Sequence, residues 1–243
     1  MSFGGYLYWG TINLPYSGYI AWVEAYGSPA TQQQALQVAG FTYRSCVMFR
    51  SPGFDTSPAQ IDLLYGATEL AAYTPPAGGG TTGTWALTPN KMAAGSTSPL
   101  YGTSGVGNLY NLYIWSMAIW QNKLWVGTFD WSWLVAEGEQ VTTLPGTSTD
   151  HATTGPPPAL YGADLFFFND ANSAAVAEDT NGLGNVTSYG VRNLLPSSTD
   201  PASMYVGMAN NANLLGDPAN QPNGGWELIL LQPKTTNGAP AKH

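Results

Sequence analysis

Two histidines, one cysteine and fifteen acidic side chains are what this 243-residue sequence offers for covalent or acid–base chemistry. Nucleophilic catalysis needs a nucleophile with a base beside it. His243 is the last residue, and His151 sits in a Ser/Thr/Gly/Pro-rich run over 146–158, where a solvated imidazole is the ordinary reading. Ser104, in Gly102-Thr-Ser-Gly105, lacks the glycine on each side of an x-Ser-x core that a strand-to-helix nucleophile elbow requires. One cysteine and one internal histidine cannot close a zinc site. Gly182-Leu-Gly-Asn-Val-Thr187 breaks the dinucleotide-binding pattern at its third glycine, and no lysine supports a phosphate loop. Cys46 is followed by Val47-Met48-Phe49, which reads as a buried thiol with no internal disulfide. No cofactor is expected.

Hard oxygen ligands concentrate in one place. Asp170, Glu178 and Asp179 stand among asparagines over 169–181, a possible irregular calcium loop. The competing reading is turn chemistry, for which Asp and Asn are favoured anyway, and the expectation is that no tight structural metal binds there. Paired carboxylates are the remaining enzymatic route, because glycosidases flank the scissile bond with two acids. Glu69, Asp130 and Glu227 each stand next to a strand-like run and could share one rim. Asp130 with Trp131 and Trp133 forms a candidate carbohydrate platform; the alternative is that these indoles fill space between layers.

Charge narrows the partners. Only 9% of residues are charged, against roughly 25% in a typical soluble domain. The formal net charge is −8, and the seven basic residues, Arg44, Arg50, Lys91, Lys123, Arg192, Lys234 and Lys242, are scattered. Nucleic-acid binding rests on clustered Lys and Arg, so it is excluded as a reading, and an anionic membrane surface is unfavourable for the same reason. No apolar stretch approaches the 18 or so residues of a transmembrane helix.

The elements that must position these groups are mostly strands. With 29 Gly, 18 Pro, 9 Trp, 14 Tyr and 8 Phe, the chain reads as short aromatic or β-branched runs cut by turn residues, an all-β signal. Two short helices are expected, over 31–38 and 171–177. Loops are expected over 74–83, 146–158 and 210–225. The clearest hairpin spans 112–128, with a three-residue Gln121-Asn122-Lys123 turn; both its faces are apolar, which places it inside a stack of sheets. A box recurs: Leu124-Trp-Val-Gly-Thr128, Met204-Tyr-Val-Gly-Met208, Leu7-Tyr-Trp-Gly-Thr11 and, more weakly, Leu63-Leu-Tyr-Gly-Ala67. Outer strands follow the boxes at 19–23, 70–73, 165–168 and 226–231.

A repeated hairpin with a glycine in its second strand and an outer strand after a variable loop suggests β-propeller blades, near 1–30, 41–90, 109–168 and 187–232, with a flexible tail over 233–243. A β-sandwich of similar strands is the alternative. Together with Gly224-Gly-Trp-Glu-Leu228, the boxes resemble the repeats of uncharacterised bacterial secreted propeller-like proteins. The resemblance implies the blade fold and carries no activity or site residues. The resulting expectation is a non-enzymatic extracellular or periplasmic binding or assembly module, finished by another polypeptide or by a missing N-terminal region, and touching carbohydrate in one version. The alternative is a carbohydrate-active enzyme working through rim carboxylates.

Overall fold

The computed structural model describes residues 1–14, 16–55, 59–93, 99–136, 156–210 and 225–233. Within them the chain runs β1 (Ser2–Phe3), β2 (Tyr6–Gly10), α1 (Ser17–Tyr26), α2 (Gln32–Thr42), β3 (Met48–Ser51), β4 (Asp62–Tyr65), β5 (Glu69–Thr74) and β6 (Thr84–Pro89). It continues as β7 (Asn111–Trp120), β8 (Lys123–Asp130), α3 (Ser132–Ala136), β9 (Leu165–Phe168), β10 (Val176–Asp179), β11 (Ser188–Pro196), β12 (Met204–Asn210) and β13 (Glu227–Leu231). The all-β expectation holds in part: the chain is mostly β, its strands pair antiparallel in three sheets, and α-helices stand beside them.

The β7–β8 hairpin is the middle layer. Alternating residues of a strand face opposite sides, and here both sides are covered. Leu124 and Val126 pack with Tyr8, Met48 and Leu64 of the four-stranded sheet β1–β2–β3–β4. On the other side Trp125 and Ala118 pack with Val191, Val206 and Met208 of β11 and β12. This is the stacked position that its two apolar faces predict. The turn is tighter than expected: Trp120 pairs with Lys123, and Gln121 and Asn122 both take positive φ (51° and 57°), a two-residue type I′ reversal.

The large sheet runs β10-β9-β8-β11-β12-β13, with β7 on the other edge of β8. It curls because β8 pairs with β9 over Leu124–Gly127 and then hands over to β11 at Phe129, opposite Gly190. At this crossing a Cβ on Gly127 would lie 2.3 Å from Val191 Cγ1 and 2.7 Å from Ser116 Oγ, and a Cβ on Gly190 would lie 2.1 Å from the Trp115 ring. The four boxes therefore do not take one sheet each. Those at 7–11 and 63–67 share the four-stranded sheet, and those at 124–128 and 204–208 share the curled one. Gly127 and Gly207 are alike in sequence but not in packing, since Gly207 is half-buried and faces only Asn193.

A small lobe stands beside these layers, made by α1, α2 and the β5–β6 hairpin. Its own core joins Tyr19, Trp22, Ala35, Val38, Tyr73 and Trp85. Thr31 caps α2 by accepting from Gln34 N, so the helix expected from residue 31 forms and runs on to Thr42. The strand expected over 19–23 is α1 instead: Tyr19, Trp22 and Tyr26 fall at helical spacing and meet Ala35 and Val38 of α2. The helix expected over 171–177 does not form. Asp170 Oδ1 captures the Asn172 amide at 2.7 Å, and Val176 pairs with Phe167 of β9.

Gly127→Ala should lower stability by about 1–3 kcal/mol through overpacking at a contact that cannot yield, whereas Gly207→Ala should stay within about 0.5 kcal/mol of wild type. Urea melts of both variants check this, and equal losses would contradict the crossing.

Candidate functional site

The sequence candidates scatter. Asp130, Trp131 and Trp133 are buried, at 0%, 5% and 5% exposure, so the carbohydrate platform is corrected to an interior cluster. The ring of Trp131 stacks on Tyr43 (6.0 Å, 20°), meets Tyr16 edge-on (5.8 Å, 78°) and donates its Nε1–H to Tyr43 Oη at 2.9 Å. Its surfaces are already in use. Nor do the three acids share a rim. Asp130 is internal, Glu69 is exposed on β5, and Glu227 on β13 accepts from Asn185 Nδ2 (2.8 Å) and Ser188 Oγ (2.9 Å).

In the 169–181 segment, Asp170 and Asp179 use their Oδ1 atoms on the backbone amides of Asn172, and of Asn181 and Leu183. Glu178 lies on β10, exposed. Among the described residues no group of three or more His, Cys, Asp or Glu side chains is placed to hold a metal ion. His151 lies outside the described residues. Ser104 opens a short 3-10 turn.

Where β8 and β9 end, polar groups enter the interior. Asp130 closes β8 and Asp164 precedes β9, and both are buried. The Asn108 amide donates to Asp130 Oδ2 (2.8 Å) and to Asp164 Oδ2 (3.3 Å). Asn111 Nδ2 donates to Asp164 Oδ2 at 2.6 Å, while the amide and hydroxyl of Ser132 both donate to Asp130 Oδ1. Burial pushes the Asp130 carboxyl up to about 7 and that of Asp164 up to about 6, against the pull of these donors. Two buried atoms are left over, Asp164 Oδ1 and Asn111 Oδ1. Both are acceptors, and two oxygens are too few for a calcium ion, which takes six to eight. Protonation of Asp164, which its raised pKa favours, replaces one acceptor of the cluster by a donor. Cys46 lies alongside, its thiol pushed up to about 12 by burial and thus inert.

Above this floor, the seam between the lobe and the β layers opens into two adjoining cavities of about 450 and 440 Å³. They share a wall made by Gly40, Tyr43 and Arg44, at and beyond the end of α2, and by Asn13 from the segment between β2 and α1. The first cavity runs toward Phe49, Leu70, Leu87 and Glu69; the second runs toward Tyr16, Ser17, Leu112 and Trp131. Burial lowers the Arg44 guanidinium from its ordinary value. Sequence reading missed this seam because its walls come from segments far apart in the chain. The available signal was a lone arginine directly after the helical stretch that starts at Thr31.

Comparison with known proteins leaves the geometry to speak for itself: no protein family, curated protein or solved structure matches the chain.

The acid cluster has a definite pH signature. Each carboxyl holds its proton in the folded chain up to pH 6–7, but in the unfolded chain only to about 4. Their contribution is therefore fully present below about pH 4 and is lost as pH rises through 6–7, amounting to a few kcal/mol at most. Urea midpoints should fall between pH 5 and pH 8. Asp164→Asn, a neutral near-isostere that removes one of the two titrating groups, should flatten this slope and match or exceed wild type at pH 8. A wild-type midpoint that does not move over this range would refute the assignment.

Proposed function

We propose that the chain is a non-enzymatic binding module whose ligand occupies the two-chambered cleft between the helical lobe and the stacked sheets. One observation carries this reading: the two cavities share a single wall of Tyr43, Arg44, Asn13 and Gly40 at the junction of two separately cored bodies. Concave, largely apolar cavities of 300–1,000 Å³ with a few convergent polar groups, set at such junctions, are the usual form of a ligand site. The carbohydrate-active alternative draws less support, since Asp130 is buried and Glu69 and Glu227 stand in different sheets.

A second reading, assembly with another polypeptide in an extracellular or periplasmic setting, draws on a different surface. The outer face of β11–β12–β13 presents Leu195, Tyr205, Leu228 and Leu230, and Trp226 beside them is 79% exposed. Contiguous exposed apolar faces mark interaction sites. The propeller-like reading rests on this face and on the repeated hairpin with outer strand of 109–168 and 187–232. The occupant is a partner chain adding an extended apolar segment along the edge of β13 that is unpaired among the described residues.

Gly40 supplies the test of the cleft. It lines both chambers, sits in α2, and a Cβ there meets nothing within 4 Å. Gly40→Leu should preserve or raise the melting temperature, since leucine is the better helix former, while filling the cleft. Titration calorimetry with indole-3-acetamide, a neutral aromatic probe, should show saturable binding to wild type and a loss of at least about tenfold in Gly40→Leu, roughly 1.4 kcal/mol. No saturable binding to wild type, or equal binding to both proteins, would overturn the cleft reading. For the outer face, Leu230→Lys should leave the melting temperature within about 2 °C of wild type. A large loss would place that face inside the core and end the assembly reading.

A further inference from the structure

We propose that the outer face of β11–β12–β13 carries a second binding site, a furrow along β12 that takes a neutral oligosaccharide. The furrow shares no lining residue with the cleft and goes beyond that reading.

Strand register builds it. Asn193, Gly207 and Leu228 stand side by side across the three strands. Successive residues of a strand face opposite sides. Val206 and Met208 point into the core, so Gly207 and Ala209 form the outer floor. One wall is apolar: Leu228 and Trp226 are both exposed, the indole to 79%. The other wall is polar because of a β-bulge. Pairing slips between Val191 and Asn193, Val191 and Leu194 are both buried, and Arg192 and Asn193 are both turned out to solvent, where strict alternation exposes only one of them. Bulges re-aim side chains in this way beside functional sites. The Arg192 guanidinium lies over the Trp115 ring, 5.7 Å from its centroid. Between the walls is a depression of about 830 Å³, within the range of ligand sites. Gly207 keeps it open, since a Cβ there would already lie 3.3 Å from Asn193 Cβ.

The unlike walls select the occupant. An apolar partner strand laid over this face finds apolar side chains on one side of the furrow only. A pyranose ring is itself two-sided: its C–H face packs on the electron-rich face of an aromatic ring, and its rim of hydroxyls both donates and accepts. Trp226 supplies the first contact. The Asn193 amide, with two donors and an acceptor, and the Arg192 guanidinium, with five donors, supply the second. A net charge of −8 opposes a polyanionic glycan and leaves an uncharged one.

Calorimetric titration of the full chain with cellohexaose, maltohexaose, mannohexaose and N-acetylated chitohexaose tests this. At least one should bind saturably with a Kd below about 1 mM. Trp226→Ala should weaken that binding at least tenfold, Trp226→Phe should retain part of it, and Asn193→Ala should weaken it at least threefold. All three side chains are exposed, so melting temperatures should stay within about 2 °C of wild type. Gly40→Leu should bind the glycan as wild type does. Binding by none of the four, or binding that Trp226→Ala leaves intact, would overturn the furrow. Binding lost in Gly40→Leu but kept in Trp226→Ala would move the glycan to the cleft and equally end the inference. A wild-type dimer in sedimentation that Trp226→Ala dissociates, with no glycan bound, would give this face to assembly instead. Should Trp226→Ala fail to fold, Asn193→Ala decides.

Discussion

At Gly127 the backbone of β8 lies so near Val191 that a single methyl group would have to share the space of the valine side chain. The rest of the architecture depends on that approach. Because the strand carries nothing at this point, β11 can cross the β7–β8 hairpin closely enough to pair with it at Phe129 and Gly190, and the sheet can fold over itself. The fold-over buries the second face of β8; the four-stranded sheet buries the first. A strand covered on both sides must be apolar along its length, and its polar ends must then find partners in the interior. The amides of Asn108 and Asn111 stand against Asp130 and Asp164 for this reason.

Three sets of ionisable groups have been removed from water, and each is neutralised by a different route. Arg50 of β3 is met by Asp62 of β4, lies over the Tyr6 ring at 4.3 Å and donates to the carbonyl of Ala171, tying the sheet to the segment after β9. Asp130 and Asp164 are met by neutral amides, a hydroxyl and retained protons. Arg44 is met by carbonyls alone. The first is met by an opposite charge, the second by neutral donors, and the third by the carbonyls at the C-terminal end of α2, where a cation is favoured.

Much of the frame is legible in the sequence because period-2 alternation and turn residues are local signals. The runs at 7–11, 63–67, 112–128, 165–168, 204–208 and 226–231 all lie in or overlap strands, and the doubly apolar hairpin is a middle layer. The failures share a cause. Residues 19–23 are aromatic enough to read as strand, and only the presence of α2 shows that Tyr19, Trp22 and Tyr26 form one helical stripe. The boxes repeat in sequence, yet which sheet each joins is set by long-range pairing that no local pattern records. Asp130 and its two tryptophans look like a binding platform because polarity and aromaticity are visible in a sequence and burial is not. The cleft at Arg44 was invisible for the same reason: its walls come from the body as well as from both halves of the lobe.

The tight Gln121-Asn122 reversal also bears on how the chain assembles. A hairpin closed by two left-handed residues requires almost no loop closure and forms on the order of microseconds. Every other neighbour of β8 is distant in the chain: Phe168 pairs with Leu124, and Gly190 pairs with Phe129 only after the intervening segments have been brought round. The four-stranded sheet likewise waits for Leu7 to find Ser51. Contacts of such separation slow folding because chain entropy is lost before they form. The hairpin is thus the early template, exposed on both apolar faces until the other two layers arrive. A net charge of −8 works against the meeting of such templates in the interval.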